Sequence, residues 1–337
     1  MIFLIWSVFI LAIYGFWHNT PNAEPDFGVT FSKKQAILYK LDWRKTYSEI
    51  LEDLGAKFIR LPAYWDEIEP KEGEYDFSDL DWQVEEARKR NVKIILAVGL
   101  RLPRWPECHF PNWIREFPIF NHQFPKFNES LLKYTEAVVS HYKNFDNIVA
   151  WQVENEPFLS GFGECPEPDA NLLNKEIALV KSLDNRPVIV TDSGELGDWI
   201  RSYRQADIFG TTMYRKVWSD KVGFFKYPLP PAFFWLKQGM VNFFFGKKSV
   251  IGVELQAEPW GPIQAYDLGT AESRNFFSIR EMLEHIDYSR RVGLSQNYFW
   301  GVEWWTWMKE NGHPEYWNLA KIVFTNSPNQ LKNSKSQ

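Results

Sequence analysis

The chain has 337 residues, which suits one α/β barrel with insertions and is enough to bury a large core. Its 38 basic and 43 acidic residues give a net charge of −5, which argues against a nucleic-acid-binding surface. No Gly/Ser linker, low-complexity tract or internal repeat divides the sequence, so we expect a single domain.

The N-terminus carries an uncharged, largely apolar run of 16 residues, Ile2–Trp17. The run is long for a signal-peptide core and shorter than the roughly 20 residues that span a bilayer. We therefore expect residues 1–20 to direct the chain to a membrane, as an anchor or a signal, and the protein to be extracytoplasmic, either anchored or secreted. A buried N-terminal helix is the alternative. At the other end, residues 326–337 make up a polar tail.

After Pro25, short apolar runs alternate with longer amphipathic ones, which is typical of repeated βα units. Two of the longer runs predict helices at Trp43–Leu54, capped by Asp42, and at about Leu80–Arg90. The eight predicted strands are Phe27–Phe31, Lys57–Leu61, Val92–Val98, Ile148–Val153, Pro187–Thr191, Asp207–Thr212, Ser249–Val253 and Asn297–Val302. The sequence thus predicts an α/β fold, a single-domain (β/α)8 TIM barrel over residues 26–325, with its active site at the carboxyl ends of the strands.

The motif Asn155-Glu156-Pro157 directly follows the fourth predicted strand. Pro157 has no N–H with which to extend a ladder, so the chain leaves the strand here and Glu156 lies at its carboxyl end. A carboxylic acid beside an amide suits proton transfer to a glycosidic oxygen, provided that a second carboxylate is near. An ordinary strand-ending turn is the alternative.

Other polar and aromatic side chains follow the remaining strands, and the barrel would bring them to one opening. They include one further carboxylate, several cations and an aromatic wall: Arg60, Arg101, Arg104, Tyr214, Glu254 and the cluster Trp300–Trp304. The 17 tryptophans of the chain suit both a core and sugar binding, because the apolar face of a pyranose stacks on an indole.

In these features the chain resembles clan A of the glycoside hydrolases, the retaining β-glycosidase barrels, and is similar to families 5, 39 and 42. The resemblance covers residues 26–325. It rests on Arg60, Tyr64–Pro70 continuing to Phe77, Asn155–Pro157, Tyr214 and Glu254, with Val253–Ala257 closest to family 42-like enzymes. The chain is in this sense both cellulase-like and β-galactosidase-like.

The resemblance implies a role for each matching residue. Glu156 would be the general acid and base, and Glu254 the nucleophile of a retaining mechanism. Arg60 would hold the nucleophile ionised, with a structural salt bridge as its alternative. Tyr214 would donate a hydrogen bond to Glu254, and Asn155 would bind the 2-hydroxyl of the sugar.

Aromatic and cationic residues are expected to shape the substrate pocket. Trp300 and Trp304 would form a sugar platform, although either could instead belong to the barrel core. In the loop Arg101–His109, Arg104 and Trp105 would line the pocket, and Glu107 and His109 could contribute to it. Stacking of Arg104 on Trp105 is the structural alternative.

Three further carboxylates compete with the assigned pair. Glu154 would point into the barrel below Glu156, and we interpret it as a buried ion-pair partner. Glu258 is the alternative nucleophile, because strand ends are predicted only to within a few residues. Glu303 is expected to contact substrate hydroxyls or a structural arginine.

Cys108 and Cys165, the only cysteines, fall in the loops after adjacent strands, and we predict a disulfide between them, with two free thiols as the alternative. No histidine shows metal-ligand spacing, so neither a metal nor a cofactor is expected. The run Pro230–Phe245 is interpreted as the sixth barrel helix packed on the core, with a membrane-surface helix as the alternative.

The predicted function is an O-glycosyl hydrolase, a retaining β-glycosidase of class EC 3.2.1 acting on β-linked oligo- or polysaccharides. As an anchor, residues 2–17 would attach the protein to a membrane. A transglycosylase with the same site, in which a sugar replaces water as acceptor, is the first alternative. A catalytically silent carbohydrate-binding barrel is the second, and the presence of both Glu156 and Glu254 argues against it.

Overall fold

The structure is a computed structural model that describes residues 24–115 and 125–325. The predictions for residues 1–20 and for the polar tail 326–337 lie outside the described residues. Within the two described ranges, no helix is both long and apolar enough to cross a membrane.

Eight parallel strands close into a barrel, and a two-stranded antiparallel hairpin is inserted after the sixth of them. The strands are β1 (Asp26–Thr30), β2 (Phe58–Pro62), β3 (Lys93–Val98), β4 (Ile148–Val153), β5 (Val188–Asp192), β6 (Ile208–Met213), the hairpin strands β7 (Lys216–Ser219) and β8 (Gly223–Lys226), β9 (Ser249–Gln256) and β10 (Gln296–Trp300). β1 pairs with β2 on one side and with β10 on the other, which closes the barrel. The predicted (β/α)8 TIM barrel is confirmed.

The helices lie outside this barrel or in the loops above it. They are α1 (Lys33–Leu38), α2 (Trp43–Glu52), α3 (Trp65–Ile68), α4 (Ser78–Lys89), α5 (Asn112–Arg115), α6 (Pro125–Tyr142), α7 (Ala170–Leu183), α8 (Ile200–Gln205), α9 (Pro231–Phe245), α10 (Thr270–Phe276), α11 (Ile279–Val292), α12 (Val302–Glu310) and α13 (Glu315–Thr325). As predicted, Asp42 caps α2, since its carboxylate accepts from the amides of Arg44 and Lys45.

The last barrel strand is shorter than its sequence suggests. We predicted a strand to Val302, but β10 ends at Trp300 and Val302 begins α12. Gly301 has a φ of 135°, and a β-carbon there would lie 2.7 Å from Cβ of Glu258. The chain therefore turns at this glycine, which moves the residues after it out of the strand.

The core has two parts, as expected for a barrel covered by helices. Inside the barrel, a small apolar cluster includes Ile95, Ile189, Val253 and Tyr298. The larger cluster fills the space between strands and helices. Because the interior is packed, polar groups that need a cavity are left to the carboxyl ends of the strands.

Candidate active site

A cavity of about 310 Å³ opens at the carboxyl ends of the strands. Its lining includes three glutamates that the sequence had placed there, Glu156, Glu254 and Glu258, together with Glu107 and Trp300. The barrel thus brings residues from four strand ends to one opening.

Glu254 reaches this cavity from an irregular strand. In the ladder with β6, Thr211 pairs with Gly252 but Thr212 pairs with Glu254, so β9 carries one extra residue, Val253. The ladder with β10 is irregular at the same level of β9. Such a bulge redirects the side chains that follow it, and bulges recur beside active sites.

Both carboxylate oxygens of Glu254 are held. Arg60 Nη1 donates to one oxygen at 2.9 Å, and the Tyr214 hydroxyl donates to the other at 3.0 Å. Burial and the charge of Glu254 raise the pKa of Tyr214 well above its usual value, so this phenol keeps its proton. The predicted contacts of Arg60 and Tyr214 with Glu254 are therefore present in the structure.

Arg60 is fully buried and also orders the residues beside Glu254. Its Nε donates to Gln152 at 2.7 Å, and its Nη2 donates to Oδ1 of Asn155 at 2.6 Å. The second bond fixes the orientation of the Asn155 amide, so the NH2 group is directed to Glu107, at 3.4 Å. The amide NH2 group of Asn155 is thereby turned to a residue that lines the cavity.

Glu156 is buried but weakly bound. Its backbone has a φ of 45°, and the amide donates to the Thr191 hydroxyl at 2.7 Å. One carboxyl oxygen accepts from the Thr212 hydroxyl at 3.3 Å. Burial, followed by the charges of Glu254 and Glu107, raises the pKa of Glu156 well above its usual value. Glu156 therefore keeps its proton to a higher pH than an exposed glutamate does.

Glu258 and Glu303 are engaged by Arg104. The Arg104 guanidinium bonds to Glu258, donates to Glu303 at 2.5 Å and lies over the Trp300 ring at 4.0 Å. The alternative in which Arg104 stacks on Trp105 is therefore wrong, and Trp105 is 46% exposed. Of the two expectations for Glu303, the contact with a structural arginine holds.

Trp304 does not belong to a sugar platform, and this prediction is wrong. The side chain is fully buried and packs edge-on against Phe277 and Tyr316. The turn at Gly301 places Trp304 in α12, on the outer side of the barrel, so the alternative of a core residue holds. Trp300 and Trp105 both line the cavity, as does Arg104.

Glu154 is not in the predicted ion pair. Its two oxygens accept from the backbone amides of Leu100 and Arg101 at 2.6 and 2.7 Å, and its carboxyl also hydrogen-bonds to that of Glu176. Burial, followed by the charge of Glu154, raises the pKa of Glu176 well above its usual value. The two acids therefore interact directly, an arrangement that the strand pattern alone could not indicate, because Glu176 lies on α7.

Glu107 was predicted only as a minor contributor to the pocket, and Trp260 was not predicted to be a site residue. Glu107 is buried at a φ of 71°, and burial raises its pKa to about 8. Trp260 contacts the ring of Tyr214 edge-on at 4.8 Å and lines the cavity. A signal for both was their position in loops that follow barrel strands.

Cys108 and Cys165 form a disulfide that ties the loops after β3 and β4 together. Cys108 is the chain neighbour of Glu107, so the disulfide lies next to a residue that lines the cavity. In the two described ranges, no group of three or more His, Cys, Asp or Glu residues is arranged to hold a metal ion.

The closed parallel barrel is a TIM-barrel fold, and solved structures of TIM-barrel glycoside hydrolases share this fold at low sequence identity. Endo-glycoceramidase II from Rhodococcus sp. is 15% identical with a TM-score of 0.53, over 83% of this chain and 74% of its own. Exo-β-1,4-mannosidase Op5Man5 from Opitutaceae bacterium strain TAV5 is 13% identical with a TM-score of 0.56, over 90% of this chain and 60% of its own. The β-galactosidase from Halorubrum lacusprofundi is 14% identical with a TM-score of 0.52, over 81% of this chain and 52% of its own.

Comparison of sequences identifies the family to which the chain belongs. The profile of glycoside hydrolase family 42, described as β-galactosidase, matches residues 40–231, and the chain belongs to this family. The match includes Arg60, Glu156 and Tyr214 and ends before Glu254. β-Galactosidase BgaA from Clostridium cellulovorans is 27% identical over 172 residues, which are 47% of this chain and 26% of that protein. The chain thus aligns with about a quarter of that relative's length. The resemblance predicted from the sequence is confirmed.

Proposed function

We propose that this protein is a retaining β-glycosidase, with Glu156 as acid and base and Glu254 as nucleophile. Membership of a glycoside hydrolase family and the barrel fold support the general activity. One observation carries the assignment of roles. Two carboxyls line the same cavity, but Arg60 and Tyr214 bind one of them, whereas the other is buried with a raised pKa. A nucleophile and a proton donor require this division.

In the proposed first step, Glu156 gives its proton to the glycosidic oxygen while a carboxylate oxygen of Glu254 attacks the anomeric carbon. The carbon–oxygen bond to the leaving group breaks, and a glycosyl ester of Glu254 forms. In the second step, the ionised Glu156 takes a proton from water, whose oxygen attacks the anomeric carbon and releases Glu254. The oriented amide of Asn155 would donate to the sugar next to these groups.

The substrate class that we propose is a β-linked saccharide, with β-galactosides to be tested first because the family is described by that activity. An aromatic rim of the cavity supports a sugar substrate. Trp105, Phe162 and Trp260 line the cavity, and the rings of Phe162 and Trp260 lie 5.6 Å apart. Pyranose faces stack on such rings.

We also propose that the protein acts outside the cytoplasm. The disulfide between Cys108 and Cys165 would persist in an oxidising compartment. The apolar run Ile2–Trp17 supports export or anchoring.

Azide rescue on a panel of aryl β-galactoside, β-glucoside and β-mannoside tests the assignment. The wild type should hydrolyse at least one of these. Glu254→Ala should lose activity and form the α-glycosyl azide, because azide replaces the nucleophile. Glu156→Ala should form the β-glycosyl azide, because azide attacks the intermediate without a general base.

Glu258→Ala is the matched control, because Glu258 lines the same cavity but is bound by Arg104. An α-glycosyl azide formed by Glu258→Ala, with activity retained in Glu254→Ala, would reverse the assignment of the nucleophile. Circular dichroism of each variant separates lost chemistry from lost folding.

A further inference from the structure

Helix α9, Pro231–Phe245, has two apolar faces, of which one is buried and the other is exposed. Phe234 and Val241 point inward and are buried, as the prediction of core packing requires. The opposite side, here called the outer face, consists of Trp235, Leu236, Met240, Phe243 and Phe244, which share one side of the helix at spacings of one, four, three and one residues.

The outer face is open to solvent along the whole helix. Phe243 is 83% exposed and Phe244 71%, and the other three side chains are about half exposed, at 47% to 51%. No charged residue interrupts the face. Lys237, the one lysine of the helix, is turned away, and its ammonium donates to the carbonyls of Gly194 and Gly197. Contiguous exposed apolar surface of this kind marks an interaction site.

The position of α9 indicates what covers this face. The helix precedes β9 by only residues 246–248, so its Phe243–Phe244 end lies where the barrel strands begin. The chain also enters the barrel at this end, through Glu24 and Asp26. The uncharged run Ile2–Trp17 is separated from β1 only by residues 18–25. The apolar run thus joins the chain at the end of the barrel at which the outer face of α9 ends.

Cations border the same end of the face. Lys247 follows the helix and is exposed, and the exposed Arg204 lies 5.9 Å from the ring of Phe245. Aromatic and aliphatic residues on one side of a helix, with basic residues at its edge, are the composition of helices that lie in a membrane interface. We infer that the outer face of α9 docks on a lipid surface that contains anionic headgroups. This interaction goes beyond the proposed glycosidase activity and does not depend on it.

A single fluorescent label on the face tests the inference. The two native cysteines are joined to each other, so Met240→Cys provides one free thiol in the full-length chain for an environment-sensitive dye. Ile322→Cys on α13, which is 55% exposed, is the matched control. With phosphatidylcholine vesicles that contain phosphatidylglycerol, emission at position 240 should shift to the blue and be quenched by nitroxide lipids, and emission at 322 should not change.

A second variant separates docking of the face from tethering by residues 2–17. Phe243→Ser/Phe244→Ser should lower vesicle partitioning about tenfold or more, because it removes two inserted phenyl groups. Ile322→Ser should leave partitioning unchanged. Hydrolysis of a soluble aryl glycoside should be the same in all variants.

Three results would overturn the inference. The first is no response to vesicles at position 240. The second is a blue shift without vesicles that grows with protein concentration, which would identify a second copy as the partner. The third is blue emission without vesicles at every dilution, which would mean that part of the same chain covers the face.

Discussion

Two buried arginines lie at the same end of the barrel, and their surroundings differ. Arg60 holds one carboxylate, Glu254, together with the neutral side chains Gln152 and Asn155. Arg104 is shared by two carboxylates, Glu258 and Glu303. A cation with one acidic partner and neutral neighbours can orient that acid for a reaction. A cation that bridges two acids mainly stabilises the wall of the cavity. The difference favours Glu254 over Glu258 as the reactive group.

The largest expected effect is a difference in kcat/KM between variants of Glu254 and variants of Glu258. Glu254→Gln should lower kcat/KM by at least about 10⁴-fold, because the amide cannot form the glycosyl ester. Glu258→Gln should lower it by no more than about 10²-fold, because it changes the pocket and leaves the reacting groups in place. Steady-state kinetics on an activated aryl glycoside measures both. Equal losses would mean that the two arginine sites do not differ in role.

Arg104→Met should act on stability. The substitution leaves the carboxyls of Glu258 and Glu303 buried without their cation. Removing one partner of a buried ion pair lowers the free energy of unfolding by about 3–5 kcal/mol. Urea unfolding measures the change. The triple variant Arg104→Met/Glu258→Gln/Glu303→Gln should recover much of it, because no buried charge is left unpaired. No recovery would show that the guanidinium acts through packing on Trp300 instead.

The next prediction concerns the pH dependence of activity and the influence of Glu107 on the pKa of Glu156. Glu156 works as an acid only while protonated, so activity falls as the pH rises through its pKa. Beside burial and Glu254, the charge that Glu107 acquires as the pH passes its own pKa of about 8 raises that pKa further. Glu107→Gln should therefore move the alkaline limb of kcat/KM to lower pH. Glu164→Gln, an exposed position of the loop after β4, is the control, and an unchanged limb in Glu107→Gln would contradict the coupling.

The smallest expected effect concerns acids that have no arginine partner. The pKa of Glu176 is raised in the folded protein, so the stability from its retained proton is present in full below the unfolded pKa of about 4.3. That stability is lost as the pH rises through the folded pKa. Glu176→Gln donates to Glu154 without needing this proton.

At neutral pH, Glu176→Gln should therefore raise the free energy of unfolding by about 1 kcal/mol and flatten its decline with pH. Denaturant titrations from pH 5 to 9 measure this, with the exposed Glu167→Gln as control. A variant less stable than the wild type at pH 8 would contradict a raised pKa of Glu176.

The sequence could predict the barrel because each strand is a separate apolar run with its own turn residues. It could also place Glu156 and Glu254, since the carboxyl ends of parallel strands meet at one opening. These inferences need only local pattern and the order of the strands. The resemblance to clan A then supplied the partners Arg60 and Tyr214.

The pairings that define the second arginine could not be predicted in the same way. Arg104 meets Glu258 and Glu303 across 154 and 199 residues of chain, so no local pattern records the contacts. The extra residue in β9 and the turn at Gly301 were missed because apolar runs continue through both. A single turn therefore moved Trp304 from the expected sugar platform to the core.

The contacts of Arg60 have a consequence for how the protein is made. This side chain on β2 touches Thr30 on β1, Gln152 on β4 and Glu254 on β9, so its donors are satisfied only when early and late parts of the chain meet. In a nascent chain released before β9 is made, Arg60 would lack the carboxylate of Glu254 with which it pairs in the folded protein. Separately expressed halves of the chain should therefore lack glycosidase activity. Activity regained on mixing the halves would show that they have assembled into a closed barrel.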